Sequence, residues 1–242
     1  MTESLLDNNM EKIKNLEENY KVITEKIQNA QLKCEYKTKE VKLLAATKTV
    51  NPYLINHAAS LGVKNIGENR VQELLSKYDE IEKNDVSIQF IGHLQTNKVK
   101  QIITKVDMIQ SVDSVKLAQE ISKQAQKNSL DMDVLVEINI GQEKSKSGIR
   151  IEQAEEFIAE ISQLPGICVK GLMSIPPICD NKQQIRKYFS KIYEKFIDIR
   201  DKKLDNICMQ FISMGMSDDY EEAILCGANI VRIGSALFGR RF

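Results

Sequence analysis

Apolar residues fall into two rhythms along this chain. Near the start, Ile13, Leu16, Tyr20, Ile23 and Ile27 recur at three- and four-residue steps with Glu and Lys between them, the spacing of one amphipathic helix. From Val41 onward, short apolar runs suited to buried strands alternate with segments of helical period. The first run, Val41 to Lys48, is followed by a helix over Pro52–Ser60 with proline in its first turn. Val63–Ile66 predicts a second strand, with a helix carrying Val71, Leu74 and Leu75. Ser87–Ile91 predicts a third, with a helix over Thr96–Ile103. Val106–Ile109 with Ser114–Gln126, and Asp133–Ile140 with Ile151–Leu164, give the fourth and fifth pairs. Cys168–Met173 with Gln184–Arg200, and Cys208–Ser213 with Asp218–Cys226, give the sixth and seventh, the last helix closed by Gly227. Ile230–Ile233 is the eighth strand.

Strand-helix units repeated without a linker predict an α/β protein, a single (β/α)8 TIM-type barrel preceded by the N-terminal amphipathic helix. Residues 1–242 are expected to form one domain, with 1–40 a helical extension packed on the barrel. A length of 242 residues suits this fold, which takes ~250. The alternative is an open doubly wound sheet, but no Gly-x-Gly-x-x-Gly follows an early strand and no composition shift separates two halves.

Composition narrows the partners. The 34 Lys+Arg balance 34 Asp+Glu, leaving no basic field to attract nucleic acid. The first residues have neither a basic nor an apolar leader region, and no apolar run approaches membrane-spanning length. A cytoplasmic protein without nucleic-acid or membrane partners is expected. The five cysteines are scattered and form no C-x-x-C pair, and three sit in apolar contexts, so buried reduced thiols are expected. Two histidines, His57 and His93, make a His-based metal site improbable, and no metal is expected.

In such a barrel, functional residues lie at the C-terminal ends of the strands. The first strand ends in Lys48, an amine at the edge of an apolar segment and a nucleophile towards an aldehyde; alone, it reads better as a lysine reaching solvent. After the seventh and eighth strands come Gly215, Ser217, Gly234 and Ser235. Glycine amides and helix N-termini in these two loops commonly hold phosphate. Ser217 alone would read as a helix cap and Gly234 as a turn. Arg232, on the last strand, is a permanent donor that can hydrogen-bond a ring nitrogen and keep it unprotonated. Amine, ring-nitrogen donor and phosphate cradle match the three handles of pyridoxal 5′-phosphate (PLP).

Six motifs then combine: Leu43-Leu-Ala-Ala-Thr-Lys48, Ile66-Gly-Glu-Asn-Arg-Val-Gln-Glu73, Phe90-Ile-Gly-His-Leu-Gln-Thr-Asn-Lys98, Gly171-Leu-Met-Ser-Ile-Pro-Pro177, Ser213-Met-Gly-Met-Ser217 and Val231-Arg-Ile-Gly-Ser-Ala-Leu-Phe-Gly239. Together they resemble the PLP homeostasis proteins, which are alanine-racemase-like PLP-binding barrels. The resemblance covers nearly all of Val41 to Phe242. It implies PLP as cofactor, held as an internal aldimine on Lys48, with Arg232 at the pyridine nitrogen and Ser217, Gly234 and Ser235 at the phosphate. Asn69 and Met173 would line the ring. Ile66, Thr47 and Asn229 depart mildly from the family's phenylalanine, serine and threonine, and none is a cofactor handle.

The same resemblance implies a protein that stores, buffers or delivers PLP to apoenzymes met transiently. No catalytic residue is expected, and the protein is expected to be a monomer. The alternative is a weak PLP-dependent racemase or decarboxylase. Racemases of this kind continue into a β-rich domain that supplies a second acid/base group, for which the chain is expected to have no room after Arg240-Arg241-Phe242. No tyrosine stands near a strand end. His93, the one titratable candidate, reads better as a hydrogen-bond partner within its loop.

Overall fold

The computed structural model describes residues 2–36, 40–143, 146–179, 181–202 and 207–239. Met1, residues 37–39 and residues 240–242 of the expected 1–242 span lie outside them. The chain runs α1 (Thr2–Lys33), β1 (Lys42–Ala46), α2 (Pro52–Ser60), β2 (Asn65–Glu68), α3 (Val71–Lys77), β3 (Ser87–Phe90), α4 (Val99–Ile102), β4 (Met108–Val112) and α5 (Val115–Lys127). It continues β5 (Met132–Ile138), α6 (Ala154–Ile161), β6 (Ile167–Ser174), α7 (Lys182–Asp201), β7 (Ile207–Ser213), α8 (Tyr220–Leu225), β8 (Ile230–Ile233) and α9 (Ser235–Phe238). The strands pair in parallel and in sequence order, and β8 closes the barrel on β1 through Lys42↔Ile230 to Ala45↔Ile233.

Side-chain alternation gives the strands an inner and an outer face, buried for the most part, with Cys208 and Gln210 of β7 exposed. On β1, Ala45 joins the layer between barrel and helices, whereas Leu44 and Ala46 point inward with Ile91 and Ile230. Met108, Leu135 and Met173 form a second inner cluster. The helices attach by their apolar stripes. In α7 these are Ile185, Phe189, Ile192, Phe196 and Ile199, each worth ~1.5–3 kcal/mol on full burial, behind an Asn181 cap that accepts from Gln183 N at 2.8 Å. In α1, Leu16, Ile23, Ile27 and Ala30 are buried, and the Asn19 side-chain amide donates to the Leu237 carbonyl at 3.1 Å.

Several boundaries differ from the sequence expectation. β2 and β4 each begin two residues later than Val63 and Val106. Those valines are buried, but Val63 N donates to Ala58 O at 3.1 Å, closing α2 instead of opening a ladder. The later parts of both strands carry Glu68, Gln110 and Ser111, buried polar residues that an apolar count passes over. The helix expected from Asp218 starts at Tyr220, and α9 had no counterpart in the pattern. All five cysteines are free, but only Cys226 is buried, and Cys208 is exposed. The expectation of buried thiols counted flanking apolar residues without knowing which side of the strand each sulfur faced. Among the described residues no helix is long and apolar enough to cross a membrane, and no group of His, Cys, Asp and Glu could hold a metal ion.

Candidate functional site

The inward row of β1, Leu44 and Ala46, leads two residues on to the half-buried Lys48 at the C-terminal mouth. Pairing persists past the strand, with Thr47 N donating to Gly67 O at 2.9 Å. Thr47 points outward and is fully buried, and its hydroxyl donates to the Glu68 carboxylate. Lys77 of α3 donates to Glu68 Oε1 and to the Thr47 carbonyl, both at 2.7 Å. On the other side of Lys48, Thr49 adopts φ 61° and its amide donates to Glu73 Oε2 at 2.9 Å. Residues of β2 and α3 thus clamp the backbone on both sides of Lys48. Glu68 Oε2 is buried without a hydrogen-bond partner among the described residues. Burial raises the Glu68 carboxyl above its ordinary range, outweighing its bonds to Lys77 and Thr47.

On the side of Lys48 away from β2, the loops after β7 and β8 are tied together. Ser217 does not cap the helix that follows it; its hydroxyl accepts from Ala236 N in the next loop at 3.1 Å. A Cβ on Gly234 would lie 3.1 Å from the Ala46 carbonyl, so a side chain there would push the loop away from β1. Ser235 is exposed at the start of α9.

Arg232 is 4% exposed and lies inside the barrel. One terminal nitrogen donates to Ser213 Oγ at 2.7 Å and the other to the Ser174 carbonyl at 2.9 Å. Burial lowers its pKa to about 10, against the opposing charges of Glu137 and Asp219. From Ser213 a hydrogen-bonded chain crosses the interior: to Gln110 Oε1 at 2.6 Å, from Gln110 Nε2 to Gln89 Oε1 at 2.6 Å, and from Gln89 Nε2 to Asn65 Oδ1 at 3.1 Å.

The structure places Lys48, Asn69, Ser217, Arg232, Gly234 and Ser235 at or just past the C-terminal ends of β1, β2, β7 and β8, around one mouth. Asn69 follows the inward row of Asn65 and Gly67, its backbone so close to Gly92 that a Cβ there would come within 2.1 Å of the Asn69 carbonyl. Met173 is fully buried with Met108 and Leu135, in the packed interior rather than on the rim. His93 is exposed and bonded to Ser147 Oγ at 3.1 Å, with Asp113 at 3.8 Å. The sequence reading placed its partner within its own loop; the partners instead come from the segments after β5 and β4.

Sequence reasoning passed over one titratable group. Glu137, near the end of β5, pairs in register with Met173 and faces the interior, 8% exposed. Burial raises its pKa to about 7, Asp113 adds to the rise and Arg232 opposes it. A glutamate alternating with apolar residues at the end of a predicted strand was the available signal.

Residues 12–241 match the family model of the alanine racemase N-terminal domain. A pyridoxal phosphate homeostasis protein from Aquifex aeolicus is 46% identical over 202 residues, covering 83% of this chain and 87% of the relative. The chain belongs to that family. Among solved structures, an unknown protein from Bifidobacterium adolescentis superposes with a TM-score of 0.88 at 32% identity, covering 93% of this chain and 95% of that one. PipY from Synechococcus elongatus PCC7942, with PLP bound, gives 0.80 at 25% identity, covering 93% of this chain and all (100%) of that one. Both superpositions cover 93% of this chain, barrel included, so family membership and the eight-stranded topology agree.

Proposed function

We propose that this chain binds pyridoxal 5′-phosphate at the barrel mouth and stores, buffers or delivers it to apoenzymes, without robust turnover of its own. The observation that carries the reading is the convergence of Lys48, Arg232 and the tied loops of Ser217, Gly234 and Ser235 on one mouth. The donor set suits the group. Arg232 is a buried cation that forms no ion pair with a described carboxylate, and it offers a donor with no acceptor capacity. A Cβ at position 234 would be tight against the Ala46 carbonyl, so glycine lets the loop backbone lie close to β1 at the mouth. Bound there, PLP would supply an aldehyde for Lys48 and a dianionic phosphate for the two loops. Asn69 and Met173 would border the ring from β2 and from the interior. The clamp of Glu68, Lys77 and Glu73 would hold Lys48 to a fixed approach.

The reading treats residues 1–242 as one cofactor-binding domain acting as a cytoplasmic monomer, with apoenzymes as transient partners. Its test is the visible spectrum of the purified protein before and after borohydride, followed by mass mapping. The expected result is a yellow protein, bleached on reduction, with the added mass on Lys48. A colourless protein that fails to bind added PLP would overturn it. One observation favours a second reading: Glu137 puts an acid/base group inside the mouth that a weak racemase could use. Racemisation of a common amino acid at roughly 1 s⁻¹ or faster would put that reading first.

A further inference from the structure

Glu137 is at least nine-tenths buried and inward-facing, and no hydrogen bond from a described residue reaches its carboxyl. The charged groups around it come from four strands. Arg232 acts on it from β8, Asp113 from just past β4, with His93 of the β3 loop at 3.8 Å from that aspartate. Lys48 stands at the same mouth beyond β1. Asp219, after β7, acts on Arg232 in the same sense as Glu137. In the free protein Glu137 and Asp219 therefore supply the negative charge that Arg232 lacks at hydrogen-bond distance.

A phosphate-bearing ligand brings its own negative charge into this confined space. Two anions sharing a low-dielectric site disfavour each other, and the one that can take a proton does so. We propose that Glu137 takes up a proton from solvent as an anionic cofactor enters the mouth, so that cofactor retention is linked to pH. The inference rests on the cofactor reading above. Its direction follows from linkage. The free carboxyl titrates at about 7 and the loaded one above that. Below pH 7 the group is neutral in both states and adds no pH dependence. Above it, affinity falls with rising pH, by at most about tenfold per unit, until the loaded carboxyl ionises as well. Small alkaline shifts would then favour handing the cofactor over, and small acid shifts would favour keeping it. Desolvation sets this balance, because the same carboxyl in water would be ionised throughout the range and could report nothing.

The test uses pyridoxine 5′-phosphate, which has no aldehyde and so does not react with Lys48, and PLP itself as a second ligand. Calorimetry from pH 6.5 to 8.5, in two buffers of different ionisation enthalpy, gives affinity and proton uptake together. At pH 7.5 and above the ligand's own phosphate, with a second pKa of ~6, is already dianionic and contributes little. The wild type is expected to take up a measurable fraction of a proton and to lose affinity with pH more steeply than Glu137→Gln, which should retain the ligand and show no uptake from this site. Equal pH profiles and equal uptake in the two proteins would overturn the inference while leaving the cofactor reading intact. Should Glu137→Gln not fold, Glu137→Leu takes its place in the same comparison, because proton release from the ligand's ring nitrogen beside Arg232 is common to both proteins and cancels; equal uptake would again overturn the inference. Failure of the wild type to bind either ligand would overturn both.

Discussion

Two buried carboxylates stand on opposite sides of the same barrel wall. Glu68 faces outward beneath α3, where Lys77 bonds to it at 2.7 Å and the Thr47 hydroxyl adds a second contact. Glu137 faces inward, with Arg232 near enough to feel its charge but bonded instead to Ser213 and Ser174. Both carboxyls are raised by burial. The outer carboxylate spends its charge on a partner from its own fold and fixes the backbone that carries Lys48. The inner one has no such partner, which leaves it open to the proton uptake proposed above.

The largest effect expected from breaking this contrast lies on the outer side. Lys77→Met leaves Glu68 buried without its cation and should cost ~3–5 kcal/mol, read as a lowered denaturation midpoint. Replacing both partners, Glu68→Gln with Lys77→Met, should recover much of that loss. A double variant as unstable as the single one would show that the pair is not the source.

On the inner side the expected effect is smaller and depends on pH. The Glu137 carboxyl is raised from 4.5 to about 7, so the folded state holds this proton more tightly than the unfolded chain. Its contribution is fully present below pH 4.5 and is lost as pH rises to about 7, roughly 3 kcal/mol over that window. In Glu137→Gln this part of the pH slope should vanish, as chemical denaturation of the free protein at pH 5 and pH 8 would reveal.

Further round the rim, Ser217→Ala removes a hydroxyl expected to meet phosphate. A charge-assisted hydrogen bond of ~1.5–3 kcal/mol corresponds to roughly ten- to hundredfold in affinity. The loss should be larger for PLP than for pyridoxal, and equal losses would place the phosphate elsewhere. Lys48→Ala should change stability least of all, because the side chain is half-buried at the mouth and outside the packed interior. Its effect is expected in the spectrum, as loss of the yellow colour from a folded protein.

The barrel was legible because the helix of each strand-helix unit, α9 aside, announces itself by apolar positions and each strand by a short apolar run. Pro52–Ser60 matched to the residue, since Asn51 and Pro52 fix its start by local chemistry. The placement of Lys48 and Arg232 at the mouth was legible because a cation at the end of an apolar run is conspicuous. Glu137 was not, because strand alternation says that residues 135 and 137 share a face without saying whether that face looks into the barrel or onto the helices. Glu68 and Lys77 were missed for a related reason: their pairing crosses from strand to helix, and nothing in the spacing of nine residues requires it. Ser217, read as a phosphate ligand and only in isolation as a cap, gave no sign of its tie to Ala236, which joins two separate loops.

The hydrogen-bonded chain below Arg232 gives the interior of the barrel a polarity. With the guanidinium donating to its oxygen, the Ser213 hydroxyl turns its own hydrogen towards Gln110, which presents oxygen to it and nitrogen to Gln89, which does the same towards Asn65. Flipping either glutamine alone would set oxygen against oxygen or nitrogen against nitrogen at its neighbour, so the amides keep their orientation together. The orientation of Asn65 at the far end of the barrel is thus coupled to that of the Ser213 hydroxyl beside Arg232. An acceptor in place of Arg232 would draw the Ser213 hydrogen to itself and favour the reversed row.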